Sequence, residues 1–306
     1  MSNWTITNIP AQADKTILIT GANSGLGLEA AKVLSKKGAR VIMAVRNLQK
    51  GNAALEEIKK ENPNAKLDLM QLDLSDFDSI RQFSSVFHTK YTQLDVLINN
   101  AGVMDPAQRE VTKQNFEIQF GTNHLGHFLL TGLLLEVLKK TPNSRIAVQS
   151  SLVHKLKHLK PDIYFDDLNW EKYYNSMQAY AQSKLANLFF AYELDRKLKS
   201  SKIDIIVTAA HPGYTKTNLQ NTAGFFVTQI MNNLVAQKVE MGTLPILRAA
   251  TEAHLVGSEY FGPTKMMDSR GYPELVRSSE KSYDREIAQK LWQVSEKLTG
   301  FTFNFA

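Results

Sequence analysis

A glycine-rich turn between an apolar run and a helical repeat constrains the fold of this chain most. Residues 15–20 form a short, mainly apolar run with β-branched residues. The segment Thr20-Gly21-Ala22-Asn23-Ser24-Gly25-Leu26-Gly27 begins at its last residue. From residue 25 to residue 37, apolar residues recur three apart, which predicts a helix. Glycines at such a junction let the backbone approach a phosphate, and the free N–H groups of the helix start face its negative charge. The sequence therefore predicts a nucleotide phosphate cradle.

Strand-like and helix-like segments continue to alternate beyond this turn. The predicted strands are residues 15–20, 40–45, 66–72, 94–98, 144–150 and 203–210, and the predicted helices are residues 25–37, 48–60, 76–90, 111–139 and 177–199. Near-continuous apolar strands that alternate with helices predict an α/β fold, in which helices cover both faces of a parallel sheet. Right-handed crossovers then give a doubly wound, Rossmann-type sheet, predicted here as a single domain over residues 1–306.

Two segments interrupt the alternation and are predicted to be substrate loops. Residues 152–176 are rich in Lys, His, Asp, Trp and Tyr, and residues 214–242 are mostly amphipathic. They follow the carboxyl ends of predicted strands 5 and 6, where doubly wound sheets bind their ligands.

Composition excludes several classes of protein. The chain has no cysteine, which excludes a disulfide scaffold, a thiolate metal site and a cysteine nucleophile. The net charge is +6, but basic and acidic residues are interleaved, which favours solvated helix faces over a nucleic-acid surface. No signal peptide and no apolar run of about 20 residues is visible, so we expect a cytoplasmic protein without stable membrane insertion.

Two histidine pairs and a basic stretch are further candidate sites. His124 and His127 lie three apart, and His154 and His158 four apart, but neither pair has a convincing third ligand, so no metal is predicted. Residues 154–160 are basic with interleaved leucines. This stretch fits a solvated loop best, and contact with an anionic membrane or an acidic substrate is the alternative.

A tyrosine and a lysine form the predicted chemical group. Tyr180 and Lys184 are four apart on a predicted helix and therefore share a face. A free tyrosine has a pKa near 10, and a nearby ammonium favours the phenolate and lowers that pKa. Tyr180 is therefore expected to exchange a proton with a carbonyl or alcohol oxygen.

The order of the motifs resembles the short-chain dehydrogenase/reductase family. The matching motifs are the TGxxxGxG cradle, Asn99-Asn100-Ala101-Gly102, Ser150-Ser151 and Tyr180-Ala-Gln-Ser-Lys184. The resemblance covers about residues 15–299 and is strongest to a branch of retinol dehydrogenase-like and WW-domain oxidoreductase-like members, with protochlorophyllide reductase nearby. Residues 123–128, 180–187, 210–213, 260–263 and 291–298 carry the match to that branch. It implies hydride transfer between a nicotinamide cofactor and a small apolar alcohol, aldehyde or ketone.

The resemblance also implies roles for individual residues. Tyr180 is the acid/base, Lys184 tunes it, Ser151 orients the substrate oxygen, and Asn123 holds a water on the proton path of the lysine. The implied cofactor-binding residues are Gly21, Asn23, Ser24, Gly25, Leu26 and Gly27 for the phosphates, Asp73 and Leu74 for adenine, Asn100, Ala101 and Gly102 for the adenosine ribose, Tyr180 and Lys184 for the nicotinamide ribose, and Pro212, Gly213, Thr215 and Thr217 for the carboxamide.

Arg46 is the residue that bears on the choice of cofactor. An acidic residue at the end of the second strand would hold both ribose hydroxyls and favour NAD(H), but this chain has Ala44-Val45-Arg46 there. A guanidinium can pair with a 2′-phosphate through two hydrogen bonds. The sequence therefore favours NADP(H), with a plain surface role for Arg46 as the alternative.

The sequence is also compatible with two other functions and with more than one assembly. A C=C reductase of the protochlorophyllide reductase type, and a protein that senses NADP(H) or acts as a scaffold without turnover, are the alternatives to a carbonyl reductase. The resemblance implies a homodimer or homotetramer through the helices around residues 111–139 and 177–199. Leu129, Leu130, Leu133, Leu134 and Leu138 suit burial by a partner subunit or by the core of the chain itself.

Overall fold

Strands from the whole length of the chain form one mostly parallel sheet. The computed structural model describes residues 3–215 and 236–306. Within them the strands are β1 (Thr16–Thr20), β2 (Arg40–Val45), β3 (Lys66–Gln71), β4 (Val96–Asn99), β5 (Ser144–Gln149), β6 (Ile205–Ala210), β7 (Tyr260–Lys265) and β8 (Arg270–Leu275). Their order is β3-β2-β1-β4-β5-β6-β7-β8, and β8 alone is antiparallel to its neighbour. The order reverses between β1 and β4, which creates the switch point where such sheets bind ligands.

Helices cover both faces of the sheet, as predicted. They are α1 (Gly25–Lys36), α2 (Leu48–Glu61), α3 (Phe77–Lys90), α4 (Gly126–Lys140), α5 (Ser176–Ser200), α6 (Val239–Thr251) and α7 (Arg285–Thr299). Leu18 packs in the core beneath α3, α4, α5 and α7, while Ile17 and Ile19 pack in the core beneath α1, α2 and α6. Successive side chains of a strand point to opposite faces, so a strand buried on both faces reads as the continuous apolar run seen in the sequence.

The helix predicted over residues 111–139 begins later than predicted. Residues 111–117 instead form a tight turn, in which Asn115 adopts a left-handed φ of 62° and Val111 bridges to Glu117. The Glu117 side chain then accepts a hydrogen bond from the Phe120 amide at 2.8 Å and starts a short helix, Ile118–Phe120. A π-helical turn, Gly121–Leu125, joins it to α4. Apolar spacing continued across this turn, so the pattern alone did not show where the helix begins.

The first predicted loop contains little regular structure. Residues 152–176 hold two short 3₁₀ helices, Leu152–Lys155 and Lys157–Leu159. Of the second predicted loop, residues 216–235 lie outside the described residues, and its end, from Val239 onward, belongs to helix α6. In the described part of the chain, no helix is both long and apolar enough to cross a membrane.

The C-terminal segment covers α4 and α5. Trp292 of α7 lies with its ring centroid 5.0 Å from Phe128 and 4.7 Å from Phe303. At Gly132 of α4, an added Cβ would lie 2.2 Å from the ring of Phe301, so only glycine lets the tail pack there. The apolar run of α4 is therefore packed by this chain itself, because Leu129, Leu130, Leu134 and Leu138 are each 0% exposed.

Removing the Trp292 side chain should destabilise the fold strongly. Trp292 is 4% exposed and packs among phenylalanine rings of α4, α5 and the C-terminal tail. Trp292→Ala is expected to lower the free energy of unfolding by about 3–5 kcal/mol, because a large cavity remains. Urea unfolding followed by circular dichroism measures the change. The control Tyr173→Ala, at a side chain 72% exposed, should change stability by less than about 0.5 kcal/mol; equal effects of both would contradict the packing described.

Candidate active site

Four strands bring the predicted site residues to one edge of the sheet. The glycine turn follows β1, the Asn99-Asn100-Ala101-Gly102 motif begins at the end of β4, Ser151 follows β5, and Pro212-Gly213 follows β6. Because these strands are parallel neighbours, their carboxyl ends meet at the same edge. α5 carries Tyr180 and Lys184 across this edge.

The glycine turn after β1 has the geometry of a phosphate cradle. Gly21 and Gly25 adopt left-handed φ angles of 68° and 54°, which side chains disfavour. At Gly27 an added Cβ would lie 2.4 Å from the Gly21 carbonyl oxygen. Ser24, the residue before α1, is exposed, and its side chain makes no capping hydrogen bond. The half-buried Asn23 and Leu26 complete the turn, so first-turn amides of α1 remain for an anion.

The Thr20 hydroxyl joins the cradle to the motif after β4. It accepts hydrogen bonds from the backbone amides of Asn100 and Ala101, both at 2.9 Å. The Asn100 side chain in turn donates to the Thr20 carbonyl oxygen at 2.9 Å. Thr20 stood in the quoted motif but was not assigned a function from the sequence. It holds the turn after β1 and the turn after β4 at a fixed separation.

His127 extends this connection to Asn123. Its Nδ1 lies 2.9 Å from the Asn123 carbonyl oxygen, and its Nε2 lies 2.9 Å from the Thr20 hydroxyl. A carbonyl oxygen only accepts, so Nδ1 carries the hydrogen and Nε2 accepts from Thr20. Burial lowers the pKa of His127 to about 4, which keeps the ring neutral as this arrangement requires. No sequence pattern distinguished His127 as a structural partner of the site.

Asn123 lies in the π-helical turn before α4 and faces the lysine. Its Oδ1 accepts from the Val103 amide at 2.7 Å, and its Nδ2 donates to the Val103 carbonyl oxygen and to the Ser183 hydroxyl, each at 2.9 Å. An added Cβ at Gly102 would lie 3.2 Å from Asn123 Oδ1 and 3.3 Å from Lys184 Nζ. The side chains of Asn123 and Lys184 therefore border the same small space. Single π turns inside helices often mark functional sites.

Tyr180, Lys184 and Ser151 lie together at the carboxyl end of β5. Tyr180 is 9% exposed and Lys184 is 3% exposed, and the lysine Nζ lies 5.7 Å from the centre of the tyrosine ring. The Ser151 side chain lies close enough to the Tyr180 hydroxyl to lower its pKa. The neighbouring Ser150 hydroxyl is turned away and donates to the Lys184 carbonyl oxygen at 2.8 Å. The structure thus places Ser151, and not Ser150, beside the tyrosine.

Burial dominates the acid–base properties of this pair. It raises the pKa of Tyr180 to about 12, against a smaller lowering by the nearby Ser151 side chain. It lowers the pKa of Lys184 to about 8. The expectation of a lowered tyrosine pKa was wrong for this structure, because burial of the phenol disfavours its charged form. Near pH 7, Tyr180 therefore keeps its proton while Lys184 remains mostly positively charged.

Predicted adenosine-binding residues follow β2 and β3, the two strands on one side of β1 in the sheet. Arg46 is exposed at the end of β2, and its guanidinium has no ion pair within residues 3–215 and 236–306. Asp73 Oδ1 accepts from the amide and the hydroxyl of Ser75, at 2.9 and 2.6 Å, which fixes the loop after β3. Leu74 is 5% exposed, and α4 begins against its carbonyl, which would lie 2.5 Å from a Cβ at Gly126.

The turn after β6 is fixed from three sides. Gly213 has a φ of 65°, and an added Cβ would lie 2.3 Å from the Ser269 carbonyl oxygen. The Pro212 carbonyl oxygen accepts from the Thr215 hydroxyl at 2.8 Å and from the Gln237 side chain at 2.7 Å. The remaining predicted residue of this motif, Thr217, lies outside the described residues.

Comparison with known proteins identifies the family of this chain. A family model for short chain dehydrogenases matches residues 15–164. The chain is 38% identical over 296 residues to retinol dehydrogenase 13 of Homo sapiens, an alignment that covers 94% of this chain and 85% of that protein. The chain belongs to the short-chain dehydrogenase family. It is an oxidoreductase that acts on CH–OH and C=O groups.

Solved structures support the fold of this dehydrogenase. A protein of unassigned function from Mycobacterium paratuberculosis superposes with a TM-score of 0.82 at 38% identity, over 99% of this chain and 100% of that one. A short chain dehydrogenase from Escherichia coli CFT073, solved in complex with NADPH, superposes with a TM-score of 0.57 at 26% identity, over 71% of this chain and 82% of that one. The predicted family and doubly wound fold are confirmed.

The residues of the dehydrogenase fit a nicotinamide dinucleotide. A Cβ at Gly27 would lie 2.4 Å from the Gly21 carbonyl oxygen, so the start of α1 packs directly on the turn, and its N-terminal amides are where a pyrophosphate would bind. Gly102 keeps the space beside Lys184 Nζ free of a side chain. The exposed guanidinium of Arg46 ends the neighbouring strand. Along this edge of the sheet, the Arg46 guanidinium after β2, the phosphate cradle after β1 and the buried Lys184 near the end of β5 thus follow one another.

Removing the Thr20 hydroxyl should weaken cofactor binding by the dehydrogenase. Thr20→Val keeps the shape of the side chain but leaves the Asn100 and Ala101 amides without their acceptor. Because a lost acceptor costs about 1–3 kcal/mol, the dissociation constant of NADPH or NADH, whichever binds wild type more tightly, should rise about tenfold. Isothermal titration calorimetry measures it. Thr20→Ser retains the hydroxyl and should bind within about threefold of wild type; unchanged binding by Thr20→Val would contradict this role.

Proposed function

We propose that this dehydrogenase interconverts an alcohol and a carbonyl of a small apolar molecule with NADP(H), using Tyr180 as the acid/base. One observation carries the proposal: the buried pair of Tyr180 and Lys184 lies with Ser151 at the edge of the sheet that also bears the glycine cradle. A proton donor, a hydrogen-bond donor and a cation thereby converge beside the place where the cradle would position a nicotinamide.

The protein supplies the proton in the proposed reduction and stabilises the charge that remains. A bound nicotinamide cofactor supplies the hydride to the carbonyl carbon. The Ser151 hydroxyl donates a hydrogen bond to the carbonyl oxygen, and the Tyr180 hydroxyl transfers its proton to that oxygen, which completes the alcohol. The phenolate left on Tyr180 is stabilised by the ammonium of Lys184. In the oxidation of an alcohol, Tyr180 takes the proton back.

Lys184 and Asn123 support the proposed proton transfer from one side. Lys184 Nζ lies 3.4 Å from the Gln149 carbonyl oxygen, at the limit of a hydrogen bond, so its donors remain free for the nicotinamide ribose hydroxyls. Asn123 is held by Val103 and Ser183 close to that ammonium. Its fixed backbone suits the positioning of a water that replaces protons on the lysine.

NADP(H) is favoured over NAD(H) by the end of β2. No carboxylate follows Ala44-Val45 there, and the exposed Arg46 suits a 2′-phosphate. The Escherichia coli relative was solved with NADPH. An apolar substrate is supported by the retinol dehydrogenase relative, whose name states an apolar alcohol. The homodimer or homotetramer and the cytoplasmic location stay predictions.

The acid/base role of Tyr180 is tested by removing its hydroxyl. Wild type is expected to oxidise NADPH with apolar aldehydes or ketones, and Tyr180→Phe should lose about 10²–10⁴-fold in kcat because the proton donor is gone. NADPH absorbance at 340 nm follows turnover. NADPH binding by Tyr180→Phe should weaken by no more than about tenfold, because only one hydrogen bond to the nicotinamide ribose is lost. Tight NADPH binding without carbonyl turnover in wild type would instead favour C=C reduction or a sensor. Reduction of a compound from a panel of conjugated pigments would indicate a C=C reductase, and the absence of any product would indicate a sensor.

The preference for NADPH is expected to depend on Arg46. Arg46→Asp replaces the cation that faces the 2′-phosphate with a carboxylate suited to ribose hydroxyls, so the ratio of kcat/KM for NADPH over NADH should fall at least about 100-fold. Arg46→Lys keeps the charge but loses the two parallel hydrogen bonds. Its ratio of kcat/KM for NADPH over NADH should lie between those of wild type and Arg46→Asp. Steady-state kinetics with each cofactor measures both ratios. If all three proteins share one ratio, Arg46 is only a surface residue.

A further inference from the structure

Two buried histidines flank the ring of Tyr260 behind the candidate active site. His154 lies in the 3₁₀ helix after Ser151, and His211 lies between β6 and the Pro212-Gly213 turn. Both are 0% exposed. Their ring centroids lie 5.6 and 5.3 Å from that of Tyr260 on β7. One tyrosine thus forms a common wall for the two loops that follow β5 and β6.

His154 holds the backbone of the serine beside Tyr180. Its Nδ1 lies 2.5 Å from the Ser151 carbonyl oxygen, so Nδ1 must carry a hydrogen. Its Nε2 accepts from the Ser279 amide at 3.2 Å. Only the neutral ring with hydrogen on Nδ1 makes both bonds. His154 therefore anchors Ser151 to the segment after β8.

His211 holds the glycine of the next loop with the opposite tautomer. Its Nδ1 accepts from the Gly213 amide at 3.3 Å, so its hydrogen is on Nε2. The space for that Nε2 comes from β7, because a Cβ at Gly262 would lie 2.0 Å from it. Gly213 itself is left-handed and touches Ser269. His211 therefore selects the backbone conformation of the Pro212-Gly213 turn.

We propose that His154 and His211 are positioning residues with separate tasks: His154 places Ser151 for the proton transfer, and His211 places the Pro212-Gly213 turn against the nicotinamide end of the cofactor. The assignment rests on the proposed function. Burial lowers the pKa of His154 to about 4 and that of His211 to about 3, which agrees with the two neutral tautomers. Neither ring reaches the substrate, since each acts through a backbone group of its own loop.

The two tasks predict that substitutions of the two histidines affect different quantities, kcat for His154 and the NADPH dissociation constant for His211. His154→Leu should lower kcat for carbonyl reduction about 100-fold, as a misplaced catalytic group does, with the NADPH dissociation constant within twofold of wild type. His154→Asn keeps a donor for the Ser151 carbonyl oxygen and should recover much of kcat. His211→Leu should raise the NADPH dissociation constant roughly tenfold through loss of one hydrogen bond. His211→Asn keeps an acceptor for Gly213 and should recover binding.

Gly262→Ala provides an independent displacement of His211. The added methyl group would lie 2.0 Å from Nε2 and force the ring to move, so this variant should reproduce the weakened NADPH binding of His211→Leu while His211 itself is retained. If His154→Leu and His211→Leu change kcat, NADPH binding and thermal midpoint in the same proportions, both rings are only structural and the proposal is overturned. A crossed result, in which His154→Leu weakens NADPH binding alone, overturns the assignment as well.

The tautomers can be measured without any turnover. Long-range ¹H–¹⁵N spectra of protein labelled at its seven histidines distinguish hydrogen on Nδ1 from hydrogen on Nε2, and the two leucine variants assign the signals. The expected result is Nδ1–H for His154 and Nε2–H for His211 between pH 6 and 8. The reverse pair, or protonation of either ring in this range, overturns the proposal. If wild type shows no carbonyl turnover, the proposed function is contradicted. The spectra would still show which ring nitrogen of His154 and of His211 carries the hydrogen, and so test the hydrogen bonds separately.

Discussion

The candidate site depends on one hydroxyl group, that of Thr20. It accepts from two amides of the turn after β4 and donates to His127, whose other nitrogen holds the Asn123 carbonyl. A single oxygen therefore fixes the cradle, the second wall of the cofactor cleft and the π-helical turn before α4. These elements meet at the switch point of the sheet, where the loops lie beyond the ends of the paired strands and are not joined by the hydrogen bonds of the sheet. Side-chain hydrogen bonds supply the rigidity that the backbone ladder does not.

Burial of Tyr180 and Lys184 decides how the chemistry can proceed. The raised tyrosine pKa and the lowered lysine pKa both come from loss of solvent. The same loss of solvent strengthens the attraction between the ammonium and a phenolate, because the local dielectric constant is low. In the proposed reduction, Tyr180 starts as the neutral acid that its environment favours. In the proposed oxidation, the phenolate has to form first, and the ammonium of Lys184 would stabilise it.

Sequence reasoning succeeded where the determining contacts are local. The strands β1 to β6 and the cradle follow from apolar runs and glycines within single segments, and their observed bounds differ little from those predicted. It failed where distant residues decide the outcome. The helix predicted to start at residue 111 starts at Ile118, because Glu117 caps the chain after a left-handed Asn115. The pKa of Tyr180 depends on burial by the whole fold. The β7–β8 hairpin was not predicted from the sequence. The contacts of His127, His154 and His211 join residues far apart in the chain, so only the structure shows them.

The last part of the chain takes part in the site although it carries none of the predicted catalytic or cofactor-binding residues. His124, next to Asn123, is hydrogen-bonded to Ser295 of α7 at 2.8 Å across 171 residues of sequence, and both side chains are buried. Ser279 holds His154, and β7 supplies Tyr260 and the gap at Gly262 for His211. The motif residues thus define what chemistry is possible, whereas the C-terminal elements fix the backbone on which those residues stand. Exchange of the C-terminal segment between relatives would therefore alter catalysis without touching a single motif.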